Sequence, residues 1–107
     1  MRREQLKGHL DLLLLSVLAA GPQHGYAVIA ALRARSHGEL DLMEGTVYPA
    51  LHRLEADGLL RSHWAQQGGR RRRLYELTAA GAVAREDLRR EWRRFAGGVQ
   101  AVVGEPA

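Results

Sequence analysis

Val47, Ala50, Leu51 and Leu54 recur at i, i+3, i+4 and i+7, which places them on one face of a helix able to dock on a core. Pro49 would break a helix interior, but it is expected in the first turn, where its missing N–H has no intrahelical acceptor to lose. Gly58 supplies the positive-φ residue that ends the helix after Asp57, and the chain from Leu59 onward reads as a strand. The other face carries Thr46, Tyr48, His52, Arg53 and Glu55. A short helix that is apolar on one side and polar, aromatic and basic on the other suits a reader of DNA, provided the flanking chain can present it.

Two helices precede it. From His9 to Ala20 the leucines are nearly continuous, and Gly21-Pro22 is the stop signal. Leu10, Leu13, Leu14 and Val17 make one stripe, and Leu12, Leu15 and Leu18 extend it around the cylinder. A helix so apolar must be covered on nearly all sides, which in a small domain points to a second subunit. A second helix is expected from about His24 to Arg35, with Tyr26, Ile29, Ala30 and Leu32 inward and Ser36-His37-Gly38 closing it. In the connector, Asp41 or Glu44 is placed to complement the N-terminus of the third helix. Residues 1–8 read as an arm bearing Arg2, Arg3 and Lys7.

Beyond Gly58, Leu59 to Gln66 reads as a strand containing Trp64, Gln67-Gly68-Gly69 as a turn, and Arg72 to Leu77 as a second strand. The expected hairpin therefore carries Arg70, Arg71, Arg72 and Arg73 at its tip. Thr78 is a candidate N-cap for a last helix running from Ala79 to about Val103, roughly 37 Å at 1.5 Å per residue. Leu88, Trp92, Phe95, Val99 and Val102 recur along it every three or four residues, while Gly97-Gly98 marks a place where it could kink or end early.

Helix, helix, helix, hairpin, long helix is the order of a winged helix-turn-helix with an added C-terminal helix. The fold class is thus mainly α with a small β-hairpin. Residues 1–78 form the winged DNA-binding part and residues 79–107 a dimerisation helix and tail, in one structural unit. Sixteen basic residues, of which only Lys7 is a lysine, face twelve acidic ones for a net charge of +4. Arginine favours bidentate phosphate or carboxylate contacts over diffuse point charges. The absence of Cys excludes disulfides and thiolate metal sites. The longest apolar run is too short to span a bilayer, and the N-terminus lacks a signal peptide's layout, so a cytoplasmic protein with no membrane partner is expected. No nucleophile-and-base constellation or phosphate-cradling loop stands out, and the five histidines lack metal-motif spacing. An enzyme, a metal site and a cofactor are not expected.

The residues also carry a resemblance. Leu10-Asp11-Leu12-Leu13, then Gly21-Pro22-Gln23-His24-Gly25-Tyr26, then Glu44-Gly45-Thr46-Val47-Tyr48-Pro49-Ala50-Leu51-His52-Arg53-Leu54-Glu55 stand in order. Gly58-Leu59-Leu60, Gly69-Arg70-Arg71-Arg72 and Tyr75-Glu76-Leu77-Thr78-Ala79-Ala80-Gly81 follow. This series resembles the PadR family of bacterial transcriptional regulators over almost the whole chain. The short C-terminus is similar to the compact subgroup with one long final helix. Met43 departs from the small polar residue the family often carries before the acidic one, which bears on the cap of the third helix. The resemblance implies a homodimer that binds operator DNA, usually as a repressor, with phenolic, planar or amphipathic small molecules among the family's effectors.

Against that background, each candidate residue has two readings. Tyr48 either reaches DNA or covers the edge of the core, Thr46 either reaches DNA or caps the helix, and His52 shares their face. Arg53 either reads guanine bidentately or pairs with Glu55 or Asp57. Arg70, Arg71, Arg72 and Arg73 either grip phosphates or form a solvated face; alternation in the strand leaves two or three of them for DNA. Tyr26 starts the second helix, whose amides could hold a phosphate, or it belongs to the core. Trp64 reads as packing. Leu10, Leu13, Leu14, Leu88, Trp92, Phe95 and Val99 are the expected dimer interface, with Trp92 and Phe95 doubling as the wall of a pocket for a planar effector. The expected function is a ligand-responsive homodimeric repressor of a pseudo-palindromic operator. The alternatives are a winged-helix protein-interaction module and a non-specific DNA-binding protein.

Overall fold

The structure is a computed structural model that describes Leu6 and residues 8–104. The expected basic arm of Arg2, Arg3 and Lys7 lies outside the described residues. Helices α1 (Leu10–Leu18), α2 (Gly25–Arg35) and α3 (Glu44–Ala56) are followed by strands β1 (Leu60–Gln67) and β2 (Arg70–Leu77) and by helix α4 (Ala79–Val103).

Local chemistry explains most of the boundaries. The His24 side chain caps α2, its Nδ1 accepting from the Ala27 N–H at 3.2 Å. Both α2 and α3 end in the same way. At α2, the Gly38 N–H donates to the Arg33 carbonyl and the His37 N–H to that of Ala34, with His37 at φ 55°. At α3, the Leu59 N–H donates to the Leu54 carbonyl and the Gly58 N–H to that of Glu55, with Gly58 at φ 79°. This paired closure consumes carbonyls that a helix end otherwise leaves open. It also turns the chain sharply into β1.

The start of α3 departs from expectation in two respects. Met43 occupies the N-cap and its side chain makes no cap bond, and of the two acidic candidates Asp41 is turned away to Arg33 at 3.2 Å while Glu44 stands in the first turn. Because the helix begins at Glu44, Pro49 is its sixth residue and lies inside it, not in the first turn. Its absent N–H therefore leaves the Gly45 carbonyl without the usual helical donor, at a residue exposed to solvent.

Gly68 and Gly69, at φ 60° and 77°, form the two-residue turn of the hairpin. Positive φ at both positions suits the right-handed twist of the strands. The pairing Gln67↔Arg70 through Leu60↔Leu77 brings the whole arginine run inside β2, so only its first member sits beside the tip. Gln23 adds a further bridge on the outer edge of β2, exchanging N–H···O bonds with Tyr75 at 3.0 and 2.9 Å. Thr78 caps α4 by accepting from the Gly81 N–H at 3.0 Å, and its hydroxyl donates to the Gly58 carbonyl at 2.7 Å. Helix α4 passes through Gly97-Gly98 without interruption.

Leu14, Leu15, Val17 and Leu18 of α1 meet Val28, Leu32, Val47, Leu51 and Leu54 of the next two helices, closed by Leu60 and Tyr75 from the hairpin. Leu14 is thereby fully buried within its own chain, which leaves no surface for the subunit contact expected of it. Leu10, Leu13 and Leu88 pack only partly against this core. The second half of α4 reaches beyond it, with Trp92, Phe95, Val99, Val102 and Val103 exposed.

Candidate nucleic-acid interface

Helix α3 buries Val47, Ala50, Leu51 and Leu54 and leaves Pro49, His52 and Arg53 on its exposed side, with Thr46 and Tyr48 half-buried. The hairpin stands beside it and is fastened to it. Arg73 Nε donates to Ser62 Oγ at 2.9 Å, Ser62 Oγ donates to Glu55 Oε2 at 2.6 Å, and Arg73 Nη2 lies 4.0 Å from the same oxygen. One of the four arginines is thus partly engaged in holding the wing on α3.

Of the remaining three, Arg70 and Arg71 are exposed and Arg72 is half-buried. Arg70 and Arg72 alternate with Arg71 and Arg73 along β2. A cleft of roughly 240 Å³ is lined by all four, together with His24, Gly25, Tyr26, Tyr48, Trp64 and Tyr75. Arg71 and Arg73 place their guanidinium carbons 4.7 and 5.3 Å from the ring centre of Trp64. Trp64 is half exposed and sits outside the core, contrary to its reading as packing. A two-residue turn at Gly68-Gly69 would have disclosed this pairing in advance, since counting outward from it sets Trp64 opposite Arg73.

An aromatic series runs along the same surface. Ring centres are separated by 6.5 Å from His24 to Tyr26, 6.2 Å from Tyr26 to Tyr48, 6.4 Å from Tyr48 to His52 and 6.3 Å from His52 to Tyr75. Tyr26 is exposed and Tyr75 buried, so Tyr26 stands at the surface and not in the core. Hydrogen bonding to Glu44, reinforced by that carboxylate's charge, pushes the Tyr26 phenol above its ordinary pKa. Burial, then Glu44, does the same to Tyr48. Both phenols remain neutral hydroxyls near pH 7; that of Tyr48 can donate to a phosphate oxygen, whereas that of Tyr26 can do so only on leaving Glu44. Burial and then the nearby Arg72 charge hold the His24 imidazole below its ordinary pKa, which suits its Nδ1 to act as the α2 cap acceptor.

Arg53 sits differently from a free base reader. Its Nη1 and Nη2 reach the two oxygens of Asp11, on α1, at 3.2 and 2.5 Å, and Nη1 lies 3.9 Å from Asp57. The pairing with Asp57 was among its expected readings, whereas the fork on Asp11 had no local signal, being 42 residues away. Both partners stay half exposed, and hydrogen bonding to Asp11 raises the Arg53 pKa further.

The chain's other candidate residues gather away from this surface. Trp92 and Phe95, 6.2 Å apart, line a cleft of roughly 200 Å³ with Gly8, His9, Leu12, Leu88 and Glu91, and the His9 ring meets Trp92 edge-on at 4.9 Å. Val99 continues that edge of α4. Among the described residues, no three His, Asp or Glu side chains form a metal-holding group, and no helix is long and apolar enough to cross a membrane.

Comparison with known proteins places this geometry. The sequence profile of the transcriptional regulator PadR-like family matches residues 14–87. Transcriptional regulator Rv3488 of Mycobacterium tuberculosis is 52% identical over 52 residues, 49% of each chain, so the match spans about half the length of that relative. The crystal structure of a PadR family transcriptional regulator from Eggerthella lenta is 32% identical with a TM-score of 0.79, covering 96% of this chain and 88% of that one. A transcriptional regulator from Clostridium thermocellum is 26% identical with a TM-score of 0.85, covering 94% and 98%.

Proposed function

The chain belongs to the PadR-like family of transcriptional regulators, and from that premise we propose that it is a homodimeric repressor that reads a pseudo-palindromic operator. Helix α3 enters the major groove while the wing of β1 and β2 grips the adjacent backbone. The observation that carries this reading is the fastening of Arg73 through Ser62 to Glu55. That chain of contacts joins the exposed side of α3 and the arginine strand into one continuous basic and hydroxyl-bearing surface.

Within it, Arg70, Arg71 and Arg72 supply phosphate contacts, with Tyr26, Thr46, Tyr48 and His52 donating from α2 and α3. Arg53 serves chiefly as a brace between α3 and α1. The exposed edge of α4, with Leu10, Leu13 and Leu88 beside it, forms an isologous two-fold interface. Two copies of α3 then lie about 34 Å apart, one turn of DNA. A planar effector in the Trp92–Phe95 cleft shifts the crossing of the two α4 helices and thereby alters that separation.

Recovering and sequencing the genomic fragments that the purified protein retains tests the reading. A shared inverted repeat is expected, with affinity falling steeply with salt. Replacing Arg70 and Arg72 by Ala should reduce the log–log salt slope by about 0.9 for each phosphate contact removed. Salt-dependent retention without a shared sequence would indicate non-specific binding. No retention at low salt would point to a protein-docking module.

A further inference from the structure

We propose that Trp64 is a positioning residue of the wing, whose indole holds Arg71 extended and aims its guanidinium at the DNA backbone. The inference rests on the DNA-binding reading above and adds to it a residue that phosphate chemistry alone would never select, since indole carries a single N–H donor.

The geometry supports it from two sides. Trp64 stands opposite Arg73 in the ladder, and Arg71 is two residues along β2 on the same face. Both guanidinium groups lie over the ring, Arg71 the nearer at 4.7 Å. Arg73 has other work, its Nε bound to Ser62 and its Nη2 near Glu55. Arg71, among the described residues, takes part in none of the ion pairs. A guanidinium stacked on an aromatic face keeps its in-plane N–H donors available. Arg71 is therefore held in place without its donors being occupied, the condition under which ordering is completed before DNA arrives and is not charged against binding. Trp64 is itself 52% exposed, so its replacement opens no hole in the core.

The test has one arm without DNA and one with it. In the free full-length protein, NMR should show the Arg71 side-chain protons shifted upfield by the indole ring current, a shift lost in Trp64→Leu and retained in Trp64→Phe. With an operator fragment, Trp64→Leu should weaken binding about three- to tenfold while Trp64→Phe stays near wild type. In an Arg71→Ala background, Trp64→Leu should have almost no further effect. Normal Arg71 shifts in the free protein, or full additivity of the two substitutions, would overturn the positioning role while leaving DNA binding intact. Loss of operator binding in the wild type itself would overturn the reading beneath it, a distinct result.

Discussion

The ring of Tyr48 lies against Gly25 so closely that a Cβ on Gly25 would stand well inside 3.0 Å of Tyr48 Cζ, Oη and Cε1. Gly25 is the buried first residue of α2 and Tyr48 lies in the first half of α3. Their contact sets how near the two helices of the reading module approach. The Tyr48 ring thus covers the edge of the core, and the same side chain lines the basic cleft.

Gly25→Ala should accordingly destabilise the protein by about 1–3 kcal/mol, the usual cost of forcing atoms into a packed site. Combining it with Tyr48→Ala should recover part of that loss, because the two changes act on one contact. Urea unfolding midpoints measure this, and a wild-type midpoint for Gly25→Ala would show that the helices can separate freely.

The brace between α1 and α3 predicts matched behaviour of its two ends. Asp11→Asn and Arg53→Gln should each cost about 0.2–1 kcal/mol of stability, since the pair is half exposed. Both should weaken operator binding across all sequence variants alike. A loss in Arg53→Gln confined to one base position, and absent from Asp11→Asn, would return Arg53 to base reading.

His24 makes stability depend on pH in a defined direction. Its folded pKa is depressed below 6.5, by burial first and Arg72 second, so between the two values the unfolded chain binds more protons. The stabilisation is complete above pH 6.5 and is lost as pH falls through the folded pKa, while protonation at Nδ1 also removes the α2 cap. The melting temperature should fall as pH drops from about 7 to below 6. His24→Asn, which retains a cap acceptor, should flatten that part of the profile.

The apolar edge of α4 is the surface that the proposed dimer buries. Phe95 is 60% exposed in the single chain, so Phe95→Glu should leave the fold intact while placing a charge in the interface. Sedimentation should then report half the wild-type mass. An unchanged mass would move the interface elsewhere.

Much of this architecture was legible from short-range signals. The spacing of Val47, Ala50, Leu51 and Leu54, the Gly58 stop, the Thr78 cap and the double glycine of the hairpin each act over a few residues, and each appears where its chemistry required. Where α3 began was less legible, because Met43 offers no side-chain cap. The resulting shift placed Pro49 inside the helix.

Sequence by itself thus determined the order of elements, the amphipathic face of α3 and the basic character of β2. Tertiary structure alone decided which charges remain available. The Asp11–Arg53 fork, the Arg73–Ser62–Glu55 tie and the enclosure of Leu14 each depend on how separate elements pack. Periodicity records which side of a helix is apolar. It carries no record of which distant carboxylate comes within 3 Å of a given guanidinium. Helix α3 therefore keeps the buried face its spacing dictates, while on its exposed face Arg53 is braced and the wing beside it holds the freer arginines.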